Sequence, residues 1–181
     1  MLTSSGLTIG AVALGAVIGG STPASADGLT GKPGWGTRDH EEEHLKTFDE
    51  FDFVVFSGQK WQRVGESHAK DIKVTWPDAH VTVGIDRHIA DLKTLFVWAP
   101  DCSIKTHPFR IASGDLTSVV GVMTGTFTKP MPRSDGTVIQ PTGKSYSLSM
   151  STVGRWRPDG TMSEEFLFWD DKSFFQQIGL G

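Results

Sequence analysis

The N-terminal half of the chain carries apolar residues at three- and four-residue steps, which is the period of an amphipathic helix. Three helices are predicted there, beginning near Asp39, Gln59 and Ile85. The first opens with acidic residues, which the helix dipole favours at that end. The apolar face of the third helix is formed by Ile85, His88, Ile89, Leu92, Leu95 and Phe96. Pro100 is expected to end that helix.

The C-terminal half shows the two-residue alternation that is typical of strands. From Ser145 onward, serines alternate with larger side chains, so one face of this strand is polar and the other is mostly apolar. Further strands are predicted around Val74, over 104–111 with a break at Pro108, and over 116–128 and 162–169. A short helix is predicted at the end over 172–178. Helices followed by hairpin-linked strands indicate an α+β protein, with its N-terminal helices packed on one face of a curved, mostly antiparallel sheet.

The first 26 residues have the pattern of an export signal. Their middle part is apolar and built from small residues, and Ala24-Ser25-Ala26 supplies the small-x-small pattern that a signal peptidase requires. We therefore expect a signal peptide over 1–26 with cleavage after Ala26, a flexible polar leader over 27–38 and one domain over 39–181. An N-terminal membrane anchor is the alternative, but the apolar run is too short and Gly-rich to span a bilayer well. The mature protein is expected to be secreted or periplasmic, without stable membrane insertion.

Composition narrows the classes of function. The chain has 181 residues and a formal net charge of -4, so it lacks the basic surface that nucleic acid or an anionic membrane would require. Six Trp and eleven Phe beside one Tyr favour a dry interior or a ligand cavity. Cys102 is the only cysteine, so no intrachain disulfide can form, and we expect it to be buried. The common zinc motifs are missing, so neither a metal site nor a cofactor is predicted.

A series of short motifs runs through the chain. They are Trp76-Pro77-Asp78, Gly84-Ile85, His88-Ile89, Ala99-Pro100-Asp101, GVMTGT at 121–126, Pro141-Thr142-Gly143-Lys144, Glu164-Glu165, Phe168-Trp169-Asp170 and QQIGL at 176–180. In this order they resemble the SnoaL-like polyketide cyclases and ester cyclases of the nuclear transport factor 2-like superfamily, over roughly residues 39–180. The resemblance implies a cone-shaped α+β barrel with a cavity between the helices and the sheet, often forming a homodimer through the sheet. Such cavities serve isomerases, dehydratases, hydrolases, cyclases and binding proteins, so the fold alone does not define the function.

The resemblance also implies where proton-transfer groups should stand, and this sequence departs from that pattern. SnoaL-type cyclases are understood to use an Asp just before the Trp of the final strand, where this chain has Leu167 or Phe168. The assisting His of those enzymes corresponds to a position near Val153. Related ketosteroid isomerases carry an Asp where this chain has Trp76. Any acid/base chemistry must therefore use other residues.

Glu165 is the first candidate for such chemistry. By the two-residue period it shares a strand face with Leu167 and Trp169. If that face lines the cavity, apolar surroundings would raise the pKa of its carboxyl group towards a useful value. The alternative is an ion pair with Arg155 or Arg157 across the hairpin.

Three histidines are further candidates. His88 lies on the apolar face of its helix and is either a structural or a catalytic residue. His80 follows the Pro77-Asp78 turn, where Asp78 could orient it as a base, although loop residues of this kind are usually only solvated. His107 could face either side of its strand. His44, in the acidic start of the first helix, is expected at the surface.

Aromatic residues are the candidates for substrate contacts. Trp76, Trp98, Phe127 and Trp169 are expected to line the cavity, with ordinary core packing as the alternative for each of them.

Two main functions remain open. The first is a cofactor-free enzyme that acts on a small apolar carbonyl or ester compound by cyclisation, isomerisation or hydrolysis. Glu165 or His80 would transfer the proton, and His88 or His107 would assist. The second is a secreted protein that binds such a small apolar molecule unchanged, and a weaker third is a subunit-interaction domain.

Overall fold

The computed structural model describes residues 38–133 and 135–181. The predicted signal peptide over 1–26 and all of the predicted leader except Arg38 lie outside the described residues. Within the described ranges, no helix is both long enough and apolar enough to cross a membrane.

The helical segments form where the apolar periodicity predicts them. They are α1 (Arg38–Glu50), a π-helical segment (Phe51–Phe56), a 3-10 helix (Trp61–Glu66), α2 (Ile85–Trp98) and a C-terminal α3 (Asp171–Gln177). The π-helical segment continues directly from α1 and therefore shifts the side chains that follow out of α-helical register. Asp170 caps α3 by accepting a hydrogen bond from the Ser173 backbone N–H.

The sheet holds most of the strands. They are β1 (His68–Thr75), β2 (Val81–Val83), β3 (Ser103–Ile104), β4 (Phe109–Ser113), β5 (Leu116–Thr126), β6 (Met131–Pro132), β7 (Val138–Ile139), β8 (Ser145–Trp156) and β9 (Met162–Phe168). Seven of them form one sheet in the order β2-β1-β9-β8-β5-β3, with β4 also paired to β5, while β6 and β7 pair separately. The pairing of β1 with β9 is parallel and the others are antiparallel. The predicted α+β fold with a curved, mostly antiparallel sheet is confirmed.

The segment over 104–111 is broken near Pro108, as the sequence predicts, with β3 before the break and β4 after it. Both β3 and β4 pair with β5, and a connection that contains Pro108 separates them. Proline has no backbone N–H to donate to a strand ladder, which is why pairing stops beside it.

The interior lies between the helices and one face of the sheet, as the alternation along β8 predicts. Tyr146 and Leu148 are buried, whereas Ser147 and Ser149 on the opposite face are exposed. Cys102 is buried, as expected. The prediction that His44 lies at the surface is wrong, because its ring is buried against Trp156 with the two ring centroids 4.8 Å apart.

Candidate active site

A small cavity of about 40 Å³ lies between the π-helical segment, α2 and the inner face of the sheet. Most of its wall is apolar, as in typical small-molecule sites. The polar or ionisable residues of the wall are Asp52, His88, Asp91, Thr152 and Glu165. Of these, Asp91 has a cationic partner, the Nε atom of Arg87 at 3.0 Å. The chemistry of the cavity therefore rests mainly on the two remaining carboxyl groups and His88.

Glu165 lies in the middle of β9, on the face that points into the protein. Its exposed fraction is only 4%. Burial raises the pKa of its carboxyl group to about 8, and the charge of nearby Asp52 adds to the rise. A carboxyl group with this pKa still holds its proton near neutral pH.

The alternative expectation, an ion pair between Glu165 and an arginine of the hairpin, is wrong. Arg155 contacts the neighbouring Glu164, with 3.5 Å between Nε and Oε2, and Arg157 contacts Asp71 at 2.8 Å. Glu164 and Glu165 point to opposite faces of β9, because successive side chains of a strand alternate. The arginines therefore compensate the outward carboxylate and leave the inward one without a cation.

Two buried histidines surround Glu165 instead. The Nε2 atom of His88, from α2, lies 3.4 Å from Glu165 Oε2, and the Nε2 atom of His68, from the start of β1, lies 4.0 Å from the same oxygen. Burial lowers the pKa of His88 to about 4. Burial also lowers the pKa of His68 well below its ordinary value, and His88 lowers it further. Both rings are therefore neutral near pH 7 and bring no positive charge to Glu165.

The second buried carboxyl group, Asp52, belongs to a charged cluster. His107 lies between two carboxylates, with Nε2 2.8 Å from Asp52 Oδ2 and Nδ1 2.7 Å from Asp49 Oδ1. Arg110 also pairs with Asp49. Burial raises the pKa of Asp52, and the hydrogen bond from His107 opposes that rise. Burial alone would lower the pKa of His107, but its bonds to Asp52 and Asp49 raise it overall. His107 therefore faces the acidic side of the helices, where its two carboxylate partners favour the charged form of its ring.

Sequence reasoning did not identify His68 or Asp52 as site residues. His68 opens β1, and no periodicity marks a strand's first residue as buried. Asp52 did carry a signal, because it stands beside Phe51 at a step where the helical pattern requires an apolar residue. An acid at an apolar position of a helix, with a His elsewhere in the chain, is a pattern that can be searched for.

Asp78 and His80 form a pair, but away from the cavity wall. The Nδ1 atom of His80 is hydrogen-bonded to an Asp78 carboxylate oxygen, so Asp78 does orient this ring. His80 also stacks on Trp76, with the two ring centroids 5.7 Å apart. Both side chains are partly exposed, and neither belongs to the residues that line the cavity.

The four predicted aromatic wall residues divide into two pairs. Trp76 and Trp169 line the cavity, with their ring centroids 6.3 Å apart. The prediction is wrong for Trp98 and Phe127, which pack against each other in the core. Their ring centroids are 5.9 Å apart. Trp98 stands at the C-terminal end of α2 and contacts Phe174 of α3, so it fills space between elements instead of facing the cavity.

The arrangement of helices, sheet and cavity is that of the nuclear transport factor 2-like fold, and solved structures share it at low sequence identity. A SnoaL-like polyketide cyclase, so described, from Jannaschia sp. CCS1 is 18% identical, with a TM-score of 0.68 over 82% of this chain and 99% of that one. IdmH from Streptomyces antibioticus, described as a polyketide cyclase, is 18% identical, with a TM-score of 0.64 over 75% and 98%. TsrD from Streptomyces laurentii is 14% identical, with a TM-score of 0.63 over 81% and 99%. At these identities the likeness shows the fold alone.

The family follows from the sequence itself. The family model of the SnoaL-like polyketide cyclases matches residues 45–178, which is most of the chain. The chain belongs to the SnoaL-like polyketide cyclase family, and the predicted resemblance is confirmed. A search of curated proteins finds no significant match.

Proposed function

We propose that this protein is an exported enzyme that performs cofactor-free acid/base chemistry on a small apolar carbonyl or ester compound, by cyclisation, isomerisation or hydrolysis. The observation that carries the proposal is the buried carboxyl group of Glu165, which faces a mostly apolar cavity and has a pKa raised to about 8. Membership of the SnoaL-like family supports a cyclase- or isomerase-type reaction.

Glu165 transfers the proton in this proposal. A carboxyl group with a pKa near 8 can both hold and release a proton close to neutral pH, which is the condition for efficient general acid/base catalysis. In its ionised form it removes a proton from the carbon next to the substrate carbonyl, and the electron pair moves onto the carbonyl oxygen. Return of the proton to a different atom gives an isomer. Attack of the same carbon on a second carbonyl group of the substrate closes a ring.

Two neighbouring groups support that transfer. His88, neutral and 3.4 Å from Glu165, can hydrogen-bond either the carboxyl group or a substrate oxygen. On the opposite side, Asp52 and His107 are hydrogen-bonded at 2.8 Å and hold a proton between them. That proton can be donated to the negative oxygen that develops on the substrate. The cavity thus offers a base and a separate acid.

The walls restrict the substrate. A volume of about 40 Å³ is smaller than the roughly 150 Å³ of a cavity that holds benzene, so binding requires wall side chains to move. Met150 and Trp169 are only partly buried and line the cavity, so they are the residues that can give way. Trp76 and Trp169 then cover an apolar substrate and exclude water from the proton transfer.

Export and dimerisation are further parts of the proposal. The N-terminal sequence of the protein recovered outside the cytoplasm should begin at Asp27 if the signal peptide is cleaved after Ala26. Exposed apolar side chains on the sheet, Phe109, Ile111 and Phe168, support a homodimer through this face. Light scattering coupled to gel filtration measures the mass and would contradict the dimer if it gave only a monomer.

The decisive experiment incubates the exported form of the protein with a small-molecule extract of the producing organism. Mass spectrometry follows both the compounds that are consumed and those that stay bound to the protein. We expect one mass to be converted to an isomeric, dehydrated or hydrated product by the wild type and by Glu164→Gln, but not by Glu165→Gln. Glu164→Gln is the matched control, because it makes the same chemical change on the outward face of the same strand.

The same experiment separates the enzyme from a binding protein. A compound that stays bound to all three proteins and is recovered unchanged would contradict the catalytic proposal and identify a non-catalytic binding protein. The absence of an acid at Leu167 or Phe168, where relatives are understood to carry one, is the observation that favours this second function.

A further inference from the structure

Three side chains with metal-binding atoms meet at the cavity, whose wall includes two of them, His88 and Glu165. His68 comes from β1, His88 from α2 and Glu165 from β9, and all three are buried. One ligand atom from each lies within 4.8 Å of the other two, with 3.4 Å from Glu165 Oε2 to His88 Nε2 and 4.0 Å to His68 Nε2. Two imidazoles and one carboxylate are the protein ligands of many zinc enzymes and of non-haem iron sites.

The polar atoms of this cluster are left without hydrogen-bond partners. Among the described residues, His68 Nε2, His88 Nδ1, His88 Nε2 and Glu165 Oε2 are buried and accept or donate no hydrogen bond. Burying a polar atom without a partner costs free energy, and protein interiors show few such atoms. Three of them, His68 Nε2, His88 Nε2 and Glu165 Oε2, lie close together, which indicates a partner that is not part of the polypeptide.

A second contact orients His68 as a metal ligand. Ser67 Oγ lies 3.2 Å from the Val64 carbonyl oxygen and 2.8 Å from His68 Nδ1. A serine hydroxyl has one hydrogen, so when it donates to Val64, the ring must donate its Nδ1 hydrogen to Ser67. Nε2 then carries the free lone pair and points towards Glu165. A hydrogen bond behind a histidine that fixes its tautomer in this way is a regular feature of metal sites.

We infer that His68, His88 and Glu165 bind a divalent transition-metal ion of the zinc type, with its fourth position open to the cavity. In a tetrahedral zinc site with bonds of about 2.1 Å, ligand atoms stand about 3.4 Å apart. The pair of His88 and Glu165 already has this separation. His68 must approach Glu165 by roughly half an ångström to reach the tetrahedral spacing.

The ion also changes the role of the cavity. When Glu165 is a ligand, its oxygen is not available to take a proton from a substrate, so the bound ion inhibits the reaction proposed above. This consequence rests on the proposed function, whereas the binding itself does not. Binding is therefore measured without any substrate, and its failure leaves the proposed reaction untouched.

The test uses the purified full chain after treatment with a chelator and dialysis. Titration with zinc chloride alone, followed by calorimetry, gives the affinity and the stoichiometry, and elemental analysis of the dialysed complex gives the bound metal. We expect one zinc ion per chain for the wild type, and binding at least about 100-fold weaker for Glu165→Gln and His88→Gln, since even outer-shell changes weaken metal sites by roughly 10- to 100-fold. Glu164→Gln and His80→Gln are the matched controls, because they change a glutamate and a histidine that lie outside the cluster. Both variants should bind zinc with the affinity of the wild type.

A second measurement protects the test against misfolding of the buried variants. Cobalt(II) in a tetrahedral site gives strong visible absorption, and the wild type should show it while the folded Glu165→Gln protein, checked by circular dichroism, should not. Absence of stoichiometric zinc and of cobalt absorption in the wild type would overturn the inference. Equal zinc affinity in Glu165→Gln and the wild type would also overturn it, because the ion would then lie elsewhere.

Discussion

Asp52 and Glu165 line the same cavity, and their surroundings differ completely. Asp52, on the helical side, is hydrogen-bonded to His107 at 2.8 Å, and His107 is in turn bonded to Asp49. Glu165, on the sheet side, has His68 and His88 beside it, and burial lowers the pKa of both rings. One side of the cavity is therefore an ion-pair cluster, and the other is a group of neutral side chains.

The difference shows two ways in which a protein accommodates a buried carboxyl group. A cation can compensate its charge, as His107 does for Asp52, or the group can keep its proton, as the raised pKa of Glu165 indicates. With a pKa of about 8, Glu165 changes its protonation near neutral pH. The sheet side is thus suited to proton transfer, and the helical side to structure and to donating a proton.

The largest effect on stability is expected on the helical side of the cavity, where His107 pairs with Asp49 and Asp52. His107→Ala leaves Asp49 and Asp52 without their shared partner, so the free energy of unfolding should fall by about 3–5 kcal/mol at pH 7. Urea denaturation followed by circular dichroism measures it. A loss below about 1 kcal/mol, the range of exposed ion pairs, would show that His107 does not compensate a buried charge.

The sheet side of the cavity, where Glu165 lies beside two neutral histidines, is tested by measuring stability against pH in chelator-treated protein. With a pKa of about 8 in the folded state and an ordinary value of 4.5 when unfolded, Glu165 keeps its proton only in the folded protein between these values. Its contribution to stability therefore falls as the pH rises from 5 to 8. The unfolding free energy of the wild type should fall relative to that of Glu165→Gln by about 1 kcal/mol per pH unit.

Glu164→Gln serves as the control for this pH series, since Glu164 is partly exposed on the opposite face of β9. Its difference from the wild type should stay nearly constant over the same pH range. A flat difference for Glu165→Gln as well would show that the inward carboxyl group has an ordinary pKa.

The smallest effect is expected for the exposed pair. His80 is bonded to Asp78 and stacked on Trp76 but is partly exposed, so His80→Ala should lower the free energy of unfolding by less than about 1 kcal/mol. The same denaturation experiment measures it beside His107→Ala. A loss as large as that of His107→Ala would remove the distinction between buried and exposed histidine–carboxylate pairs in this protein.

Features carried by one helix or one strand could be read from the sequence. The apolar face of α2, including His88, and the alternation of β8 follow from burial of one face, which imposes a period of 3.6 or 2 on the sequence. The family motifs indicated the order of the helices and strands along the chain. The inward position of Glu165 followed from the same period, once the buried face of β9 was known.

Features that depend on packing between elements could not be read in this way. An aromatic residue on a buried face can fill the core or line a cavity, and the periodicity is the same for both. Trp76 lines the cavity and Trp98 does not, because Trp98, at the end of α2, packs against Phe174 of α3. The break at Pro108 was predicted from the sequence, but the pairing of both halves with β5 was not.

The sequence by itself determined the family, the α+β class, the burial of His88 and the alternation that turns Glu165 inward. The tertiary structure alone decided that His68, His88 and Glu165 meet, and that Asp52 finds His107, 55 residues away along the chain. The reason is physical: a side chain's pKa and its partners depend on what surrounds it in space. Only the packing of β1, α2 and β9 removes water from Glu165 and places neutral rings beside it.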